Sequence, residues 1–92
     1  MVIMILERVP VSLRGELTRW LIEPKAGVFV GSVSALVRDR LWEKACKAMK
    51  GGAGVLIHNA DNEQGYAIQI WGERDRKPVD FDGLWLIRTV SE

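Results

Sequence analysis

The sequence predicts an α+β domain: one antiparallel sheet with two helices on one face and a β extension at the C-terminal end. Three observations carry this. Strand-like runs and helical stripes alternate in the order β-α-β-β-α-β before further β. Two stretches place apolar residues at helical spacing, each after a strand. The 92 residues make one domain, 1–92, without internal repeat or low-complexity segment.

Each element has its own signal. Val2–Arg8 reads as a strand, and its apolar run is continuous rather than alternating, as in a strand that is central or covered on both faces. Pro10 breaks pairing, and Ser12 is a candidate N-cap. Leu13, Leu17, Trp20 and Leu21 then form one helical face, which Pro24 ends. Lys25-Ala26-Gly27 supplies a turn and Val28-Phe29-Val30 a strand, giving a short hairpin of Ile22–Lys25 against Gly27–Gly31. A second helix starts near Ser32 or Ser34. Val33, Val37, Leu41, Ala45 and Ala48 form its stripe, broadened by Leu36, Trp42 and Met49, and Gly51-Gly52 stops it. Strands at Ala53–Asn59 and Gly65–Gly72 flank the polar loop Ala60–Gln64. Glu73–Gly83, charged and proline-containing, reads as a loop, and Leu84–Val90 as the last strand. This order is the ferredoxin-like βαββαβ unit with surplus strand at its end. A surplus strand must pair somewhere, so an exposed edge is a natural place for a second copy to join as a homodimer. Size points the same way, because so short a chain buries only about 60–65% of its unfolded surface.

Composition narrows the chemistry. Apolar content of 48% and charged content of 27% are ordinary for a globular protein. The single cysteine, Cys46, excludes an intramolecular disulfide and fits a reducing, cytoplasmic setting. No apolar run approaches the ~18 residues of a membrane span, and Val2–Leu6 is too short for a signal-peptide core. The net charge of +1 hides an asymmetry. Residues 1–50 hold nine Lys/Arg against five Asp/Glu, whereas residues 51–92 hold four against seven. A basic face and an acidic tail with different partners would explain this, and so would chance.

Known site patterns are scarce. Neither the P-loop spacing nor Gly-x-Gly-x-x-Gly occurs. One Cys and one His argue against zinc, His58 reads as an ordinary strand residue, and Cys46 as packing. What remains is the junction Glu7–Gly15. Glu7 ends a strand, where a carboxylate could hold a metal, but Mg²⁺ needs several oxygen ligands. A symmetry mate in a two-fold dimer would have to contribute the second Glu7. Otherwise Glu7 simply faces water or pairs with Arg8. Arg8 and Arg14 flank the start of the first helix, where free N–H groups favour an anion and the dipole opposes arginine. Gly15 there suggests close approach of a backbone or a phosphate. Arg38 and Arg40 could extend the patch, and doubling by symmetry would give a surface for duplex backbone contact. The aromatic strand signature of RNA-recognition domains is absent.

Leu-Arg-Gly at 13–15, Trp20-Leu21, Ala-Gly-Val-Phe-Val-Gly at 26–31, Val33-Ser34-Ala35, Trp42-Glu43 and Pro-Val-Asp-Phe-Asp-Gly-Leu at 78–84 carry a resemblance along nearly the whole chain. Together they resemble the type I-E branch of the CRISPR-associated protein Cas-two. The resemblance implies a ferredoxin-like homodimer that joins two dimers of the Cas-one integrase in the spacer-acquisition complex. There it would support the middle of the double-stranded protospacer DNA through phosphate contacts, needing no cofactor, while the integrase performs the transesterification. Other branches are assigned a metal-dependent endonuclease activity with an acid at the end of the first strand. Glu7 matches that position, where Asp is more usual, so a Mg-dependent nuclease is the alternative, with Glu7 as catalytic residue and metal ligand. Arg14 matches a DNA-contacting arginine, and Ser12 stands where the branch can carry a second basic residue. Arg76 and Lys77 match a basic turn near the duplex, with Asp75 where a further arginine would be expected. Glu63 and Asp82 resemble positions facing the integrase, and Asp80 joins them as a partner-side candidate. A small-molecule regulatory domain of the same architecture is a third reading that fold alone leaves open.

Overall fold

The computed structural model describes residues 1–49 and 52–72 in full, and the strands Arg76–Phe81 and Leu84–Thr89 as backbone. The chain runs β1 (Val2–Leu6), α1 (Val11–Leu17), β2 (Ile22–Lys25), β3 (Val28–Gly31), α2 (Ala35–Ala48), β4 (Gly54–Asn59), β5 (Tyr66–Trp71), β6 (Arg76–Phe81) and β7 (Leu84–Thr89). The main sheet has the order β2-β3-β1-β4-β5, and β6-β7 forms a separate two-stranded sheet. Strands β1 to β4 with α1 and α2 are the ferredoxin-like unit, and β5 extends it beyond β4. Among the described residues, no helix is long and apolar enough to cross a membrane.

The register sorts every side chain to one of two faces. Met4 lies opposite Phe29 on one side and Leu56 on the other, and all three are fully buried. Leu13 and Leu17 of α1, and Leu41 and Ala45 of α2, close over this face together with Leu21 and Met49. Phe29→Ala should therefore destabilise the fold by about 3–5 kcal/mol in denaturant unfolding, because it removes a fully buried aromatic ring from the middle of this core.

The opposite face carries no helix, and it is also apolar. One cross-strand row runs Ile22, Val30, Ile3, Ile57, Ile68, and the next runs Val28, Ile5, Val55, Ile70. Side chains on alternate positions share a face, so these nine Val and Ile residues form one surface. Ile5 is 45% and Ile22 68% exposed. The continuous apolar run of β1 is thus correctly read as a central strand, and the helices cover it on one face only.

Element ends differ from the sequence expectation for identifiable reasons. β1 stops at Leu6 because Arg8 turns into the left-handed region at φ 54°. Pro10, not Ser12, occupies the N-cap of α1, and no side chain caps that helix. α1 ends at Thr18, whose hydroxyl donates to the Arg14 carbonyl at 2.8 Å. Pro24 is therefore not its terminator. It sits in β2, the outermost strand, where a missing N–H is tolerated and the register with β3 is irregular. Trp20, past the helix, is 50% exposed, and Leu36 of α2 is 62% exposed, so neither broadens the core. Ser34 caps α2, accepting from the Val37 amide at 3.2 Å. The segment read as a loop contains β6, paired to β7 from Arg76 with Thr89 to Phe81 with Leu84.

The β2–β3 turn depends on Gly27. Its φ is +81°, and an added Cβ would stand 2.5 Å from the Leu6 carbonyl oxygen, while the Leu6 amide donates to the Gly27 oxygen at 2.7 Å. Gly27→Ala should cost at least about 1–2 kcal/mol, since backbone conformation and backbone clash both oppose it. Denaturant unfolding of the purified variant reads this directly, and an unchanged midpoint would contradict it.

Candidate nucleic-acid interface

Glu7 and Arg8 lie just beyond β1, both with exposed side chains. The Glu7 amide donates to the Ala53 carbonyl at 2.9 Å, which keeps the chain registered past the strand end. Gly52 packs beneath it, with room for no Cβ: one would fall 2.9 Å from the Glu7 oxygen. Among the described residues, no three His, Cys, Asp or Glu gather closely enough to hold a metal. Among the described residues Glu7 thus stands as a single strand-end carboxylate. Arg8 has no ion-pair partner among the described residues. Its left-handed backbone is one that glycine or asparagine adopts more readily.

Arg14 does not sit at the start of α1. The helix spans seven residues, so Arg14 falls in its last turn, where the backbone dipole suits a cation. The dipole conflict expected from sequence does not arise. Around Gly15 the space is open, with nothing within 4 Å of where its Cβ would be, so no contact within the described chain requires a glycine there.

Arg14 is instead held by Glu23 of β2. Its Nε donates to both carboxylate oxygens, at 3.0 and 3.2 Å. Glu23 also accepts the Gly27 amide at 2.9 Å. One carboxylate thereby joins the end of α1, strand β2 and the turn leading to β3. The Gly27 amide first, and the Arg14 guanidinium after it, hold the Glu23 carboxyl below the ordinary carboxylate range, against the opposing effect of partial burial. Arg14 remains 42% exposed at its side chain, against 17% for Glu23.

The remaining candidates divide. Arg38 is drawn onto the sheet: Nε donates to Asp39 at 2.9 Å, Nη1 lies 3.1 Å from His58 Nδ1, and only 18% of its side chain is exposed. It does not join a solvent-facing patch with Arg14. Arg40 is exposed. Lys44 bonds Glu16 at 2.9 Å and so clips α2 to α1, whereas Lys47 bonds Glu43 one turn away at 2.9 Å. The bond from Lys44 and its charge keep Glu16 low in the same way. Cys46 is half-buried, and burial pushes its thiol up, away from the reactive thiolate. Glu63 is exposed in the β4–β5 loop. Arg76, Lys77 and Asp80 lie on β6, whose side chains fall outside the described residues, as do Asp82 and Asp75 altogether.

Two features escaped the sequence reading. Glu23 stands nine residues from Arg14, and only the hairpin register shows that it faces α1. The second apolar face was open to detection. Ile3 and Ile5, Val28 and Val30, Val55 and Ile57, and Ile68 and Ile70 each repeat at the alternate positions of a strand.

Over residues 1–86 the chain matches the family described as CRISPR-associated protein (Cas_Cas2CT1978).

The Glu23 contacts predict a pH dependence. Both Glu16 and Glu23 titrate below the ordinary 4.5 when folded, so the unfolded chain takes up protons first as pH falls. Their contribution is complete above that value and lost as pH falls through the lowered folded values. Thermal unfolding followed from about pH 5 to about pH 3 should show a shallower loss in Glu23→Gln than in the wild type. Parallel curves would show that the carboxylate contributes nothing.

Proposed function

The chain belongs to the Cas-two family of CRISPR-associated proteins, and from that premise we propose that it is a dimeric, non-catalytic scaffold of the spacer-acquisition complex. In this reading it binds protospacer duplex through backbone phosphates and docks the Cas-one integrase through its acidic C-terminal half.

The observation that carries the reading is the helix-free Val/Ile face of the main sheet. Nine aliphatic side chains spread over five strands, Ile5 and Ile22 exposed and the other seven half-buried, form one apolar face of the kind that marks an interaction site. A second copy is the partner that fits. Its own face is equally flat and aliphatic, and two sheets pack face to face at about 10 Å. Pairing about a two-fold axis duplicates the exposed cations Arg8, Arg40 and the partly exposed Arg14 without any further residue type. A scaffold needs only such duplicated phosphate contacts, and none of these residues argues for base readout. Glu63, Asp80 and Asp82 on the acidic half are the proposed integrase side, and Arg76 and Lys77 further phosphate contacts.

Two measurements test this. Ile57→Asp would place a charge in the middle of the proposed interface and should weaken self-association by roughly tenfold or more, read by analytical ultracentrifugation. Co-purification with the integrase, with and without a short duplex, tests the assembly. Binding of duplex should show no sequence preference, and for 6–10 phosphate contacts should fall by about 10³–10⁵ between about 50 and 200 mM salt. Asp82→Lys should reduce integrase capture. A monomer that binds neither duplex nor integrase would end the proposal.

A further inference from the structure

We infer that Glu23 is a positioning residue for Arg14: it fixes the guanidinium so that its two Nη groups face outward to receive one phosphate. The inference rests on Arg14 being a phosphate contact.

A guanidinium offers one Nε–H and four Nη–H donors in a rigid plane. Glu23 engages the Nε, through both of its oxygens, at 3.0 and 3.2 Å. The outer edge, one N–H from each Nη, is the fork that matches two oxygens of a phosphate. Glu23 is itself anchored independently of Arg14. It accepts the Gly27 amide at 2.9 Å, in a turn that the Leu6 amide ties to β1 at 2.7 Å. An arginine fixed at its Nε by so anchored a carboxylate has lost most of its rotamer freedom before any ligand arrives, so less remains to be lost on binding. Its side chain stays 42% exposed, so the guanidinium is not closed off by the bond to Glu23.

Electrostatics alone points the other way, and that makes the inference testable by sign. A carboxylate beside the guanidinium repels a phosphate, so simple removal of its charge should tighten binding. Positioning requires that removal weaken it. Duplex affinity is measured at fixed salt for the full-length wild type, Glu23→Ala, Glu23→Gln, Arg14→Ala and the double variant. Thermal unfolding and oligomeric state are recorded for each. Glu23→Ala should weaken binding by about 3- to 10-fold when Arg14 is present, and should leave it unchanged or tighten it when Arg14 is already alanine. Glu23→Gln keeps an acceptor oxygen for the clasp and should recover most of the affinity.

Tighter binding by Glu23→Ala with Arg14 intact overturns the inference, as does equal weakening in both backgrounds, which would mark a loss of hairpin structure. Wild-type affinity in Arg14→Ala removes the phosphate contact itself and the inference with it. A weakened Arg14→Ala beside a tightened Glu23→Ala removes the inference alone.

Discussion

The fold is governed by a mismatch between a sheet with two apolar faces and a chain that supplies helices for one. Burial of Met4, Phe29 and Leu56 under α1 and α2 gives a complete small core. Beyond it, the Val and Ile residues on the other side of the same strands add β-propensity and stiffness. They leave aliphatic surface in contact with water, however, and burying such surface is the dominant favourable term in association. Whatever covers that face contributes to holding β1, β3, β4 and β5 flat against the helices.

Charge on the described surface is mostly spoken for. Arg14 with Glu23, Lys44 with Glu16, and Lys47 with Glu43 join neighbouring elements or turns, and Arg38 lies on β4. Solvent-exposed pairs of this kind contribute little stability each. Their effect here is geometric. Glu16 and Lys44 set α1 against α2, and Glu23 ties the end of α1 to the hairpin beside it. Among the described residues the exposed cations without an ion pair, Arg8, Lys25 and Arg40, stand on different elements, so a phosphate-binding surface built from them must draw on more than one element.

The order of elements was legible in the sequence because each rests on a local signal: helical stripes, the Ser34 cap, and β-branched runs with Gly27 at the turn. What was misread lay at junctions. Arg8 adopts a left-handed backbone that its side chain does not announce, and this shortens β1. Pro24 was taken for a helix stop although an edge strand accommodates it equally well. Proline and charge suggested a loop where β6 pairs with β7. The candidate site was legible in its residues and not in their relations. Arg14 was visible as an interesting cation, whereas its bond to Glu23 depends on how a hairpin folds back on a helix. Arg38 looked like a continuation of the same patch because helical spacing cannot show that its guanidinium reaches down to His58.

Pro24 has one further effect. It occupies the outermost strand of the main sheet at a point where the ladder is already irregular. A strand arriving there from another molecule would find an N–H missing and its register broken. Growth of the sheet by lateral addition is thus disfavoured at its β2 edge. The same proline that interrupts a hairpin therefore guards one edge of the sheet against pairing with a strand of another chain.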